Sequence, residues 1–356
     1  MPTLKKIRLI AAIILSITFA NTAQSEIFSN TMKRRRVAII GLDGTTGNQL
    51  HHRVWTQNKA PYLRNLMTSG KFTICESDQD DRCARTHSGH SVGLDYYWLT
   101  GPGWASVLTG VDTLRHGVKD NDDDSLRAFS ESTKQFPSLF MRAKKNGLKT
   151  AAAGVGAFLT SRKKDKSYFG VTDYECGYQQ RGPNVAAEAT QSCNLDNRQS
   201  FNSTDPNRDN LLTKWFTDRV NDSSFDITMG VYDMIDTVGH SHGFDNNDKY
   251  LQAISTADAQ IGTILNAIKK RADNFNEEWL ILLTSDHGGH RLLFWGNHGR
   301  MFDEDEVIPF VVAVVGSDHK LSNLKYPVSH MDVHPTVMEW FGLNYSQVDG
   351  HVQGLQ

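Results

Sequence analysis

Residues 37–42 (VAIIGL) form an unbroken apolar, β-rich run that stops at Asp43-Gly44. That is the pattern of a strand buried on both faces. Residues 150–155, 225–232, 279–284 (WLILLT) and 308–315 repeat it. Between these runs the period changes. In residues 250–270, Leu251, Ile254, Ile261, Ile264, Leu265 and Ile268 fall at helical spacing and predict a long helix with one core-facing stripe. Shorter helices are expected over 60–67, 137–145, 210–220 and 333–341. Three of these are closed by Gly at or soon after the end, namely Gly70, Gly147 and Gly342. Strands alternating with helices predict an α/β fold, a mostly parallel central sheet with helices on both faces. Such sheets form their sites beyond the carboxyl ends of the strands.

Two stretches interrupt this pattern. Residues 71–98 are polar and irregular, and residues 160–207 are rich in Asp, Asn, Gln, Ser, Gly and Tyr without a period. Both are expected as insertions or a cap over the sheet. The N-terminus is different again. Lys5, Lys6 and Arg8 precede an apolar run over 9–20, and Ala23-Gln24-Ser25 offers small residues before Glu26. This predicts a secretory signal peptide over 1–25, followed by one catalytic domain over 26–356. A spanning helix needs roughly 20 apolar residues, more than this run holds.

With 39% hydrophobic and 22% charged residues among 356, the composition suits one globular domain with a sizeable core. Loss of residues 1–25 would remove three of 38 positive charges and none of 40 negative ones, for a net of 35 − 40 = −5. No nucleic-acid footprint follows from that balance. Residues 33–36 (KRRR) are the one basic run, read as a solvated arm. Export to the periplasm or the medium permits disulfides. Cys75, Cys83, Cys176 and Cys193 allow three connectivities, and proximity favours Cys75–Cys83 and Cys176–Cys193.

The candidate chemistry sits where the strands end. Asp43 follows the first run; Asp236 and His240 follow the third, in YDMIDTVGHSHG; Asp286 and His287 follow the fourth, in SDHGGH; His298 lies in GNHG. Alone, each is an ordinary turn or packing residue. Together they form a mixed carboxylate and imidazole set, which suits zinc better than calcium or magnesium. They suffice for two metals, and a hydroxyl such as Thr100 would complete one site. Two metals roughly 4 Å apart can hold the attacking and leaving oxygens of a displacement at phosphorus.

The motifs GLDG, TGPGWASVLTG with RHGV, DTVGHSHG, TSDHGGH, GNHG and DVHPTVMEWFGL occur in the order seen in the alkaline phosphatase superfamily. Over residues 36–345 the chain most resembles the type I phosphodiesterase / nucleotide pyrophosphatase branch, including bacterial members with a Gly-Pro-Gly-Trp nucleophile loop. The resemblance implies an alkaline-phosphatase-like fold and a two-zinc phosphoric ester hydrolase. Asp43, Thr100, Asp286 and His287 would hold one zinc, and Asp236, His240 and His298 the other. Thr100 would attack phosphorus and form a covalent phospho-enzyme. Thr100 also suits a helix N-cap, and a helix N-terminus favours an anionic phosphoryl group.

There are departures from the pattern. Gly103 stands where several phosphodiesterases of the superfamily have an Asn that contacts a phosphoryl oxygen; a backbone N–H of Gly101 or Gly103, or the Asn121 side chain, is the candidate substitute. Thr100 cannot yield formylglycine, and Trp104 replaces the Arg of sulfatases. The superfamily's phosphoethanolamine transferases carry a multi-helix membrane domain that is not expected here. His242 and His290 beside the ligands are expected in supporting or surface roles, and His116 in a structural one. His87, His90, Tyr96, Tyr97 and Trp98 are expected in solvated or packing roles near the nucleophile loop. The primary reading is a phosphodiesterase acting on a small-molecule phosphate ester. The alternatives are a phosphomonoesterase on the same scaffold and a non-catalytic protein that binds phosphate esters or metal.

Overall fold

The apolar run that begins at Val37 is buried residue by residue. Val37 and Ile39 face one layer, and Ala38, Ile40 and Leu42 face the other. A computed structural model of the chain describes residues 33–86, 98–154, 174–179, 201–202, 207–299 and 302–355. The expected signal peptide, Cys193, His87, His90, Tyr96 and Tyr97 lie outside the described residues.

In chain order the elements that build the site are β1 (Arg34–Leu42), α1 (Pro61–Ser69), β2 (Lys71–Phe72), α2 (Thr100–Thr109), α3 (Leu139–Lys145), β3 (Thr150–Gly154), β4 (Tyr174–Gln179), β5 (Phe201–Asn202), α4 (Arg208–Asn221), β6 (Ile227–Tyr232), α5 (Met234–His242), α6 (Asp248–Asn274), β7 (Glu277–Thr284), β8 (Phe310–Val315) and α7 (Val333–Trp340). The sheet has eight strands in the order β2-β8-β7-β1-β6-β3-β4-β5. From β7 to β5 every pair is parallel; β8 and β2 form an antiparallel edge. Helices cover both faces. Leu63 of α1, Leu212 and Phe216 of α4, and Ile254 and Ile261 of α6 pack on one. Trp104 of α2, Leu139 of α3, and Val333 and Val337 of α7 pack on the other. The mostly parallel, doubly covered sheet is therefore the observed architecture. The predicted stripe of α6 is buried at Leu251, Ile254, Ile261, Ile264 and Ile268, with Leu265 at its margin.

Three expectations need correction. The run 308–315 is not one strand. Val307–Ile308 pairs with Ala84–Arg85, and only Phe310–Val315 joins the main sheet. Pro309 between them has no N–H to give a ladder. The stretch 160–207, read as aperiodic, contributes β4 and β5, which extend the parallel sheet beyond β3. Thirdly, the basic run 33–36, read as a solvated arm, enters β1 at Arg34, and Arg36 is buried against Asp226 and Glu277. In the 71–98 stretch a disulfide joins Cys75 and Cys83 as proximity predicts. The Cys176–Cys193 pairing lies outside the described residues.

Trp104 is fully buried, and its ring lies so close over the sheet that a Cβ on Gly41 would sit 2.4 Å from Cη2. Trp104→Ala is therefore expected to cost about 3–5 kcal/mol in urea unfolding, and a loss under about 1 kcal/mol would refute this packing role.

Candidate active site

Three neighbouring parallel strands end level with one another. Gly41 pairs with Thr284 of β7, and Leu42 with Tyr232 of β6. Neighbouring strands lie about 4.8 Å apart, so the chains leaving them emerge side by side. They carry Asp286, Asp43 and Asp236. Asp236 sits in the first turn of α5, and His240 one turn further on shares its face. The three acids meet at Gly44. Its N–H donates to Asp286 Oδ1 (3.3 Å), its φ is +63°, and a Cβ there would lie 2.9 Å from Asp236 Cα. Only glycine fits that conformation and that contact. Two residues the sequence reading did not single out hold the turn. Tyr250 OH donates to the Gly44 carbonyl (2.7 Å) and accepts from the Thr46 N–H (3.1 Å). Ser285 Oγ bonds the Leu42 carbonyl (2.6 Å) and accepts from the Thr45 N–H (3.0 Å).

The histidines converge in one tautomer. His287 Nδ1 bonds the Gly288 carbonyl (2.7 Å), His298 Nδ1 the Trp98 carbonyl (2.8 Å) and His240 Nδ1 the Gly296 carbonyl (3.3 Å). A carbonyl only accepts, so each proton is on Nδ1 and each Nε2 presents a lone pair. These lone pairs point at other acceptors. His298 Nε2 is 3.2 Å from His240 Nε2, and His240 Nε2 is 3.4 Å from Asp236 Oδ2. His287 Nε2 is 3.5 Å from Asp43 Oδ1 and 3.4 Å from Asp286 Oδ2. Asp43 Oδ1, Asp236 Oδ1 and Asp286 Oδ2 are buried without a hydrogen-bond partner among the described residues. The residues fall into two groups, Asp43/Asp286/His287 and Asp236/His240/His298, in each of which the ligand atoms lie within 4.8 Å of one another. The rings of His287 and His298 stack at 3.7 Å and join the groups. Acceptors facing acceptors in a buried site are reconciled by a cation, and the donor set fits zinc.

The titration shifts have the same cause. Burial, then the charges of Asp286 and Asp236, hold the Asp43 carboxyl well above its usual range. Burial, then Asp236, does the same to Asp286. Burial pushes Asp236 up to about 7 against the opposing effect of His240. Burial and the neighbouring His298 push His287 well down, and burial brings His298 to about 4.

Thr100 opens α2 beside the first group, with Oγ1 3.5 Å from His287 Nε2. It is the first helical residue rather than the N-cap, which is Leu99. Pro102 in the first turn forfeits no helical hydrogen bond. The Gly101 N–H donates to Asn121 Oδ1 (2.6 Å), and the Gly103 N–H donates to the Leu99 carbonyl (2.9 Å). The lack of a side chain at Gly103 has a steric reason, since a Cβ there would lie 2.5 Å from the Asp286 carbonyl oxygen. Trp104 Nε1 reaches Asp43 Oδ2 at 3.4 Å from beneath.

Of the neighbouring histidines, His116 is buried behind α2 with Nε2 2.9 Å from Ser106 Oγ, and His242 is exposed. His290 joins a buried carboxylate, Asp305, which the sequence reading missed. An aspartate in the acidic run DEDE offers no sequence signal of burial.

The metal-free protein has a clear pH signature. Histidines with lowered folded pKa values add stability as the pH rises, but that gain is complete above their unfolded value of about 6.5. Carboxyls with raised folded values contribute stability at low pH that is lost as the pH climbs towards those values. Chelator-treated protein is therefore expected to lose melting temperature between about pH 6.5 and 8, and Zn2+ to abolish that slope. A chelated protein that gains stability over that range would contradict this account.

Comparison with known proteins agrees with the geometry. The model of one family, type I phosphodiesterase / nucleotide pyrophosphatase, matches residues 37–326. Among curated proteins there is no sequence match. Murine ectonucleotide pyrophosphatase / phosphodiesterase 5, in an inactive form in complex with AMP, is 12% identical with a TM-score of 0.58, over 89% of this chain and 98% of that one. The C-terminal periplasmic domain of EcEptC from Escherichia coli, in complex with zinc, is 16% identical with a TM-score of 0.54, over 89% of this chain and 85% of that one. A sulfatase-like protein from Bacteroides thetaiotaomicron is 14% identical with a TM-score of 0.58, over 90% and 74%. These likenesses are of fold, the alkaline-phosphatase-like one. The matched segment runs from the first core strand past every one of the seven converging residues, and the chain belongs to the type I phosphodiesterase / nucleotide pyrophosphatase family.

Proposed function

We propose that this chain is an exported two-zinc hydrolase that cleaves phosphodiester or pyrophosphate bonds through a phospho-threonine intermediate at Thr100. The observation that carries the reading is the convergence of three imidazole Nε2 lone pairs and three buried carboxylates beside one hydroxyl at a helix N-terminus. Asp43, Thr100, Asp286 and His287 would hold one cation, and Asp236, His240 and His298 the other. Such cations acidify a coordinated hydroxyl and neutralise phosphoryl oxygens.

The chain's own residues then do the following. Thr100 Oγ gives its proton to solvent and attacks phosphorus, and the bond to the leaving ester oxygen breaks on the opposite side, that oxygen taking up a proton from solvent. Water later attacks phosphorus, the bond to Thr100 Oγ breaks and Oγ regains a proton, and the group leaves as a phosphate monoester. The N-terminus of α2 stabilises the phosphoryl charge. With the Gly101 and Gly103 N–H groups engaged, Asn121 is the best candidate for the phosphoryl-oxygen donor. Its Oδ1 is fixed by Gly101, and its Nδ2 remains a donor. The AMP complex of the murine structure makes nucleoside and aryl phosphodiesters the first probes.

Export rests on the expected signal peptide and is supported by the Cys75–Cys83 disulfide, which suits an oxidising compartment. Among the described residues no helix is long and apolar enough to cross a membrane. The proposed unit is one catalytic domain over 26–356, with 71–98 as an insertion, while 160–207 adds two strands to the sheet.

Thr100→Ala is expected to lower kcat on an aryl phosphodiester by about 10³-fold or more while two zinc ions stay bound, and rapid acid quench of wild type to trap phosphate on Thr100. Full activity in that variant would remove the nucleophile assignment, and an inactive wild type would favour the binding-protein alternative. Matched aryl mono- and diesters test the ester class, with the diester expected to be faster. Gly103→Asn should not restore a lost donor. It drives a Cβ into the Asp286 backbone, and loss of metal affinity together with activity is the expected result.

A further inference from the structure

The carboxylate of Asp305 is fully buried and outside both cation groups. Its two oxygens go to different places. Oδ1 accepts from His290 Nδ1–H (2.7 Å), and Oδ2 accepts from the Gly299 N–H (2.9 Å). Its carbonyl accepts from the Gly288 N–H (2.7 Å), and the Glu304 carbonyl from the Gly289 N–H (3.2 Å). The first contact and the two carbonyls grip residues 288–290, which follow directly on Asp286 and His287. The second contact grips the residue after His298. Gly299 is held from the other side too, because its carbonyl accepts from the Trp98 N–H (3.0 Å) while His298 Nδ1 donates to the Trp98 carbonyl. Trp98 stands two residues before Thr100. One carboxylate thus ties together the segment of the first cation group, the segment of the second, and the approach to the nucleophile. Both of its oxygens are engaged by N–H donors, which leaves it a poor ligand and a good brace.

We propose that Asp305 is a positioning residue that sets the two cation groups against each other, with His290 as its partner. The proposal rests on the metal reading given above but not on the reaction. Hydrogen-bond partners directly behind metal ligands commonly change metal affinity by about 10–100-fold when removed, and Asp305 acts one step further out, through Gly299 and His290, so its effect lies at the low end of that range. The less buried group, Asp236/His240/His298, depends on the Gly299 contact and bears the effect.

The test is a chelator-competition titration of purified protein with Zn2+, together with the visible spectrum of the Co2+-substituted form. Asp305→Ala is expected to weaken the second metal equivalent by about 10-fold and alter its Co2+ bands, while the first equivalent keeps its affinity. Asp305→Asn keeps one acceptor without its charge, and charge-assisted bonds are roughly twice as strong as neutral ones, so an intermediate loss is expected. If Asp305→Ala fails to fold, Asp305→Asn decides alone. Wild-type affinity for both equivalents and an unchanged Co2+ spectrum in Asp305→Asn would overturn the proposal. So would equal loss of both equivalents. If zinc binding followed the expected order but no phosphodiester were turned over, the functional reading would fail and this one would stand.

Discussion

Two imidazole nitrogens, His240 Nε2 and His298 Nε2, face each other at 3.2 Å, each with its proton committed elsewhere. Around them lie carboxylate oxygens with no donor among the described residues. For oxygens shut away from water, that arrangement is unfavourable until a positive charge enters it. The surrounding fold exists to hold the arrangement in place. Backbone carbonyls from three loops fix the histidine tautomers, and the acids sit at the ends of strands that pairing keeps rigid.

The sheet supplies the spacing and the helices supply the aim. β1, β6 and β7 end in register, so their acids arrive as neighbours without any long-range adjustment. α5 begins immediately after β6, which turns Asp236 and His240 onto one face. α2 brings Thr100 to the first group from the opposite layer, anchored by Trp104 under Gly41 and Asp43. The core and the site share these residues. Packing at Trp104 therefore bears on the chemistry as well as on stability.

Gly103 shows how a missing functional group can have a packing cause. As a departure from the family pattern it suggests lost function. A Cβ there would lie 2.5 Å from the Asp286 carbonyl oxygen, so the close approach of α2 to the turn after β7 excludes a side chain. Asn121, brought in from a separate turn, is bonded instead to the neighbouring peptide, the N–H of Gly101.

The local periods made the strands, the long helix and the acid-ended pattern legible, because buried strands and amphipathic helices are written in consecutive residues. The ordered motifs made the family legible as well. Asp43, Asp236, His240, Asp286 and His287 could be named as candidates from strand ends, given the rule for parallel sheets, and their division into two groups was implied by the family resemblance. Other features could not be read this way. The split at Pro309, the two extra strands within 160–207 and the turn-holding role of Tyr250 depend on partners hundreds of residues away or on pairing without a local period, and the contacts of Asp305 depend on how its loop folds back on 288–299. The sequence by itself determined which residue types stand at the ends of the core strands. The tertiary structure alone decided which atoms face each other there, because hydrogen bonds between separate segments select the tautomers of His240 and His298 and bring the two groups together.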